Sequence, residues 1–175
     1  MSVVHLLHLA KRFATSLWPG SVSAVDEQWV QSYLHDGLGQ IWAQMSNQDQ
    51  RHAAQVARRV VAQLGEDSVD VVTAALFHDS GKIVSQLGTF SRVAATVLWA
   101  VLDTGRARSW SLDDREGIRK RFGQYRLHPE LGSELLASTG AGPLTVAWAG
   151  EHHLSPHRWT VDPGVASVLK TCDDD

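Results

Sequence analysis

Residues 68–77 carry Val69, Val71, Val72, Ala74, Ala75, Leu76 and Phe77, so they are apolar almost all round, and they run directly into His78-Asp79. A helix without a wet face belongs at the centre of a domain, and the rest of the chain must then wrap around it. The neighbouring segments have helical periodicity. Ala53, Val56, Ala57, Val60, Val61 and Leu64 fall on one stripe. Ser46, with Asp49 three residues on, forms a capping box ahead of that stripe, and Gly65 stops it. One helix is expected over 26–45 and another over 89–102. Pro129, Pro143 and Pro163 (after Asp162) mark three further helix starts. Residues 105–126 read as a polar loop around a short helix. No segment alternates cleanly as a strand, and the fold class expected is all-α, a compact helical bundle.

At 175 residues the chain fits a single domain. Residues 1–45 are expected to form a helical extension packed on a domain of residues 46–175. Val3, Leu6, Leu7, Ala10, Phe13, Ala14 and Leu17 make an amphipathic opening helix that ends before Pro19-Gly20. A net charge of −3, without a basic tail, argues against nucleic acid as a partner. No apolar run reaches the ~18 residues needed to span a bilayer, so stable membrane insertion is not expected. His5 and His8 interrupt the first apolar run, which does not read as a secretory signal. The single cysteine, Cys172, suits a reducing compartment, and a cytoplasmic location is expected. The oligomeric state is not legible.

Ionisable residues beside a buried helix need compensation, because an unpaired buried charge is costly. His78-Asp79 therefore suggests metal ligation, with the metal neutralising the carboxylate and using the imidazole lone pair. A His-Asp hydrogen-bonded pair is the plain alternative. The second such dipeptide, His35-Asp36, lies on a more polar segment and reads as surface. His52, His128, His152, His153 and Asp173 each sit near an expected helix end or on an inward face, from which several helices can converge.

The set His52, His78-Asp79 and Asp173 resembles the HD superfamily of metal-dependent phosphohydrolases. Further elements resemble its HD-GYP branch: His78-Asp79-Ser80-Gly81-Lys82, His128-Pro129-Glu130-Leu131-Gly132 and the double histidine His152-His153. The match runs over residues 46–173, with Asp174 as the alternative last ligand. The branch's Gly-Tyr-Pro motif is absent; the chain reads Leu154-Ser155-Pro156-His157-Arg158-Trp159 there, which argues against cyclic di-GMP as substrate. Some members hold a third metal with a Glu four residues before the first His. Here that residue is Gln48.

The resemblance implies two divalent transition metal ions, one on His52, His78, Asp79 and Asp173, the other on His128, His152 and His153, with Asp79 bridging. Imidazoles and carboxylates together suit Fe, Mn, Co or Zn better than Mg or Ca. The implied activity is hydrolysis of a phosphodiester or phosphomonoester of a nucleotide-like small anion. Asp79 and Lys82 would be catalytic, and Lys82, Arg126 and Arg51 would bind substrate. Residues 105–126 hold seven basic residues against three acids and are expected to steer that anion. Two alternatives stand beside this reading: a non-catalytic metal- and nucleotide-binding regulatory domain, and a di-iron oxygenase. His5 and His8 have no assigned partners, His157 is expected at the surface, and Trp159 is a candidate pocket wall.

Overall fold

A computed structural model describes residues 20–100, 102 and 105–174. The opening helix expected over 3–17 lies outside the described residues. The elements are α1 (Ala24–Gln31), α2 (Asp36–Gln44), α3 (Asn47–Leu64), α4 (Val69–Phe77), α5 (Lys82–Ser85), α6 (Thr89–Trp99), α7 (Gly105–Ser111), α8 (Ile118–Arg126), α9 (His128–Ser138), α10 (Pro143–Glu151), a 3-10 turn (Pro156–Arg158) and α11 (Pro163–Asp174). No strand occurs among the described residues, and the fold is all-α.

The apolar helix α4 is the centre, as its composition requires. Val72, Ala74, Ala75, Leu76 and Phe77 are fully buried, with α3, α10 and α11 packed around them. Ser46 caps α3, accepting from the Asp49 amide at 3.2 Å. Gly65 ends that helix at φ +84°, a conformation that favours glycine. The Asp49 carboxylate also takes Arg92 Nη1 at 2.7 Å, a buried ion pair that ties the start of α3 to α6. Asp162 caps α11 by accepting from the Gly164 and Val165 amides. Pro129, Pro143 and Pro163 all sit in the first turns of their helices.

Three sequence expectations are corrected. The helix expected over 26–45 is two helices, α1 and α2. The Ser32 hydroxyl and amide both donate to the Trp29 carbonyl, closing α1 and letting each helix turn its own apolar face inward. Leu38, Ile41, Trp42 and Met45 of this region belong to the same buried core as α4, with the Trp42 ring edge-on to Phe77. Residues 105–126, expected as a polar loop around one short helix, form the hairpin α7–α8. It closes tightly because Gly123 has no Cβ; one there would lie 2.4 Å from the Ser111 nitrogen. Polar surface composition hid a helical pair whose contact rests on glycine rather than on apolar periodicity. The helix expected over 89–102 ends at Trp99.

The turn after α4 lies directly on the start of α9. A Cβ at Gly81 would stand 2.0 Å from the His128 carbonyl oxygen and 2.5 Å from the Gly132 nitrogen. A Cβ at Gly132 would meet the Gly81 nitrogen at 3.0 Å. This backbone contact sets how near Asp79 stands to His128. Gly81→Ala is expected to destabilise the fold by ~3 kcal/mol or more, because only backbone stands in the way, and Gly132→Ala by about 1 kcal/mol. Urea unfolding of both variants measures this, and equal stabilities would show that the contact does not constrain the fold.

Candidate metal centre

Three helix ends deliver the central imidazoles by one local device. His78 follows α4, His128 follows α8 across Leu127, and His152 follows α10. In each case Nδ1 meets a carbonyl three residues back in the last helical turn: Ala75 at 2.8 Å, Tyr125 at 2.8 Å and Ala149 at 2.9 Å. The last carbonyls of a helix lack partners within it, so an imidazole N–H satisfies one of them. Donation from Nδ1 leaves the Nε2 lone pair pointing away from the helix end. All three Nε2 atoms are buried without a hydrogen-bond partner.

These atoms converge on Asp79, which is 4% exposed. Its Oδ1 lies 3.2 Å from His128 Nε2 and 3.6 Å from His152 Nε2. Its Oδ2 lies 3.4 Å from His78 Nε2 and accepts from Lys82 Nζ. On the far side of His78, Asp173 Oδ1 stands 3.5 Å from His78 Nε2 and 2.9 Å from His52 Nε2. Two groups can hold a metal ion: Asp79 with His128, His152 and His153, and His52 with His78 and Asp173. Asp79 stands between them, one oxygen toward His128 and His152 and the other toward His78.

The donor chemistry fits divalent cations. Buried nitrogens of native proteins normally have partners, yet here three imidazole lone pairs face carboxylate oxygens, acceptor against acceptor. A cation among them would reconcile all these groups, and an imidazole–carboxylate set suits transition metals. Without one, protons take the part. Burial opposes a charge on His78, but Asp79 and Asp173 outweigh it and raise its pKa to about 10. Burial likewise opposes ionisation of Asp79 and Asp173. Lys82 and His78 nevertheless hold Asp79 well below the usual carboxylate range, and His78 and His52 hold Asp173 below it. Burial lowers the pKa of His52 and of His152.

The other sequence candidates divide. Asp173 is buried in the cluster, whereas Asp174 is exposed and pairs with Lys170 at 2.9 Å. Burial opposes the charge of Lys82, but the Asp79 carboxylate raises its pKa above the ordinary lysine value. Its ammonium is engaged with Asp79, the residue one turn away from it. Arg126 lines a cleft of about 320 Å³ together with His153, Glu130 and Arg158. Arg51 does not reach this cleft. One residue's rotation around α3 from His52 turns it into a different cavity, of about 430 Å³, beside Asp26, Arg58 and Arg59. Gln48 Oε1 accepts from Thr89 Oγ1 at 3.5 Å, toward α6. His35 and His157 are exposed. Trp159 packs on Trp148, with ring centroids 5.8 Å apart, and does not line the cleft. Sequence reasoning missed Arg158; its position five residues after the double histidine was the available signal.

The metal-free protein is expected to be most stable near neutral pH. Above 6.5 the unfolded chain has lost a proton that folded His78 keeps, so this stabilisation disappears as pH climbs toward about 10. Below 6.5 the unfolded chain protonates the histidines corresponding to His52 and His152 while the folded protein resists, so stability falls there too. Below 3.8 the carboxylates of Asp79 and Asp173 add to that loss. A bound metal replaces the His78 proton, so the rise in melting temperature on adding Mn or Zn should grow with pH. Thermal melts of chelator-treated protein, with and without added metal, check this; a metal-free melting temperature climbing steadily above neutrality would contradict it.

Comparison with known proteins agrees with this arrangement at the level of family. No curated protein and no solved structure matches the chain. A family model, the HD domain, matches residues 50–174, which span every residue of both candidate metal-binding groups. The chain belongs to the HD domain family, whose members are mostly metal-dependent phosphohydrolases.

Proposed function

We propose that this chain is a metal-dependent phosphohydrolase that cleaves a phosphodiester or phosphomonoester of a small, nucleotide-like anion with two divalent transition metal ions. The observation that carries this reading is the buried Asp79 carboxylate, flanked on one oxygen by His128 and His152 and on the other by His78. Only a carboxylate offers two such oxygens; an imidazole has one lone pair per nitrogen.

His52, His78, Asp79 and Asp173 would hold one ion, and His128, His152 and His153, with Asp79 shared, the other. Paired divalent ions supply a nucleophilic water at neutral pH and neutralise charge on the phosphoryl oxygens. The chain's own part is orientation. Helix-end carbonyls orient three imidazoles before any ligand arrives, so little reorganisation is left for the reaction. The site is walled by buried apolar helices, which exclude bulk water and strengthen electrostatic interactions within it. Lys82 neutralises part of the Asp79 charge through Oδ2. Arg126 supplies positive charge at the open side, and the rest of residues 105–126 adds to the field that draws an anion in.

The test is metal content and hydrolysis together. Protein purified without chelator or affinity metal is expected to carry Fe, Mn, Co or Zn and to hydrolyse a generic phosphoester under anaerobic conditions. His78→Ala and Asp79→Ala should each reduce metal retention and turnover by more than ~100-fold, beyond the ~10–100-fold cost of losing an outer-shell partner. His35→Ala should change neither. Metal bound without hydrolysis of either ester class would leave a binding domain, and oxygen consumption would point to oxidative chemistry.

A further inference from the structure

The cleft beside His153 carries two guanidiniums, those of Arg126 and Arg158. Arg126 enters it from the end of α8 and Arg158 from the 3-10 turn (Pro156–Arg158). Among the described residues neither side chain has a hydrogen bond or ion pair, and the one acid lining the cleft, Glu130, pairs with neither. His153 belongs both to this cleft and to the group with Asp79, His128 and His152. The cleft therefore adjoins that group directly.

Arg158 is also held on a fixed loop. The Glu151 carboxylate, next to His152 in the chain, accepts from the Thr160 amide at 2.7 Å, the Val161 amide at 3.3 Å and the Thr160 hydroxyl. Trp159 Nε1 donates to the Leu154 carbonyl at 3.2 Å, and its ring packs on Trp148. The loop is thus closed on both sides of Arg158, and a ligand would not have to order the backbone that presents the guanidinium. At about 320 Å³ the cleft is at the small end of ligand sites, the size of a phosphorylated sugar rather than of a dinucleotide.

We infer that Arg126 and Arg158 form a clamp for a second phosphate of the substrate, adjacent to the phosphate that meets Asp79 and its imidazoles, so that this chain acts on compounds carrying two neighbouring phosphates. The inference rests on the hydrolase reading above. Guanidinium forks match phosphate oxygens two at a time, and two of them on one small cleft suit a doubly charged group better than a sugar hydroxyl. In the reaction the oxygen of water joins the scissile phosphorus, the P–O bond to the leaving group breaks, and the departing oxygen takes a proton from that water. The clamped phosphate is unchanged.

Isothermal titration of the protein with its metals retained, using inorganic phosphate and pyrophosphate, tests the clamp by a readout other than turnover. Pyrophosphate is expected to bind about tenfold more tightly than phosphate, the size of one added charge-assisted contact. Arg126→Gln and Arg158→Gln should each erase that margin, and Arg158→Lys, which keeps charge without the fork, should keep only part of it. An undiminished margin in Arg158→Gln, or in Arg158→Lys should the Gln variant not fold, overturns the clamp. A second arm compares nucleoside 3′,5′-bisphosphates with 5′-monophosphates as substrates. Hydrolysis with a KM that Arg158→Gln leaves unchanged removes the clamp and keeps the hydrolase. Loss of the pyrophosphate margin in a protein that hydrolyses nothing keeps the clamp and removes the hydrolase.

Discussion

A carboxylate buried at the end of the most apolar helix in the molecule is the constraint from which the rest of this structure follows. Asp79 has almost no access to water, and an uncompensated charge there would cost more than a small domain can spare. The fold answers with Lys82 on one oxygen and imidazoles from three helix ends around both. For those groups to arrive, the turn after α4 must lie on the backbone at the start of α9. That is possible only because Gly81 and Gly132 present no side chains to each other. The hydrophobic core and the polar centre are therefore one design. The same helix that buries Phe77 against Trp42 holds His78 and Asp79 out of solvent.

Much of this was legible in the sequence, for identifiable reasons. The central helix announced itself by lacking a polar face, and the capping residues Ser46 and Asp162 marked starts that the structure keeps. The histidines that converge are the ones placed at expected helix ends or, for His52, on an inward helix face. A residue just past a helix C-terminus has a ready acceptor three positions back, so its imidazole is oriented by local geometry before any long-range packing is known. His35 lies just before a helix start, has no such acceptor and is exposed.

What was not legible depends on rotation and on backbone contact. A residue next to a ligand in sequence is turned about 100° from it on a helix, which is how Arg51 comes to line a separate cavity although His52 reaches Asp173. The α7–α8 pair was hidden because Gly123 contributes closeness without hydrophobicity, and periodicity reports only hydrophobicity. The role of Lys82 was half visible. Its spacing placed it one turn from Asp79, but nothing in the sequence said that its ammonium meets the Asp79 carboxylate. Arg158 was passed over because its segment looked like the mere absence of a Gly-Tyr-Pro motif, whereas that segment is a closed loop with a wall residue of its own.

The two candidate metal groups are not equivalent, and the difference bears on how such a centre would work. His78 and Asp173 are buried and His52, held to Asp173, is 25% exposed, so the group they form is the more enclosed of the two. The other group includes His153, the one member that is exposed, and no helix-end carbonyl is bonded to its ring as one is to His152. Enclosed metal sites tend to be structural, while reactive ones keep a side open to substrate. On the proposed function, His52, His78 and Asp173 would then hold the ion on the more closed side of Asp79. The phosphate would enter past His153, where Arg126 and Arg158 stand. The asymmetry follows the chain order: His52, His78 and Asp173 form the more buried candidate group, and His128, His152 and His153 with Asp79 the more exposed one.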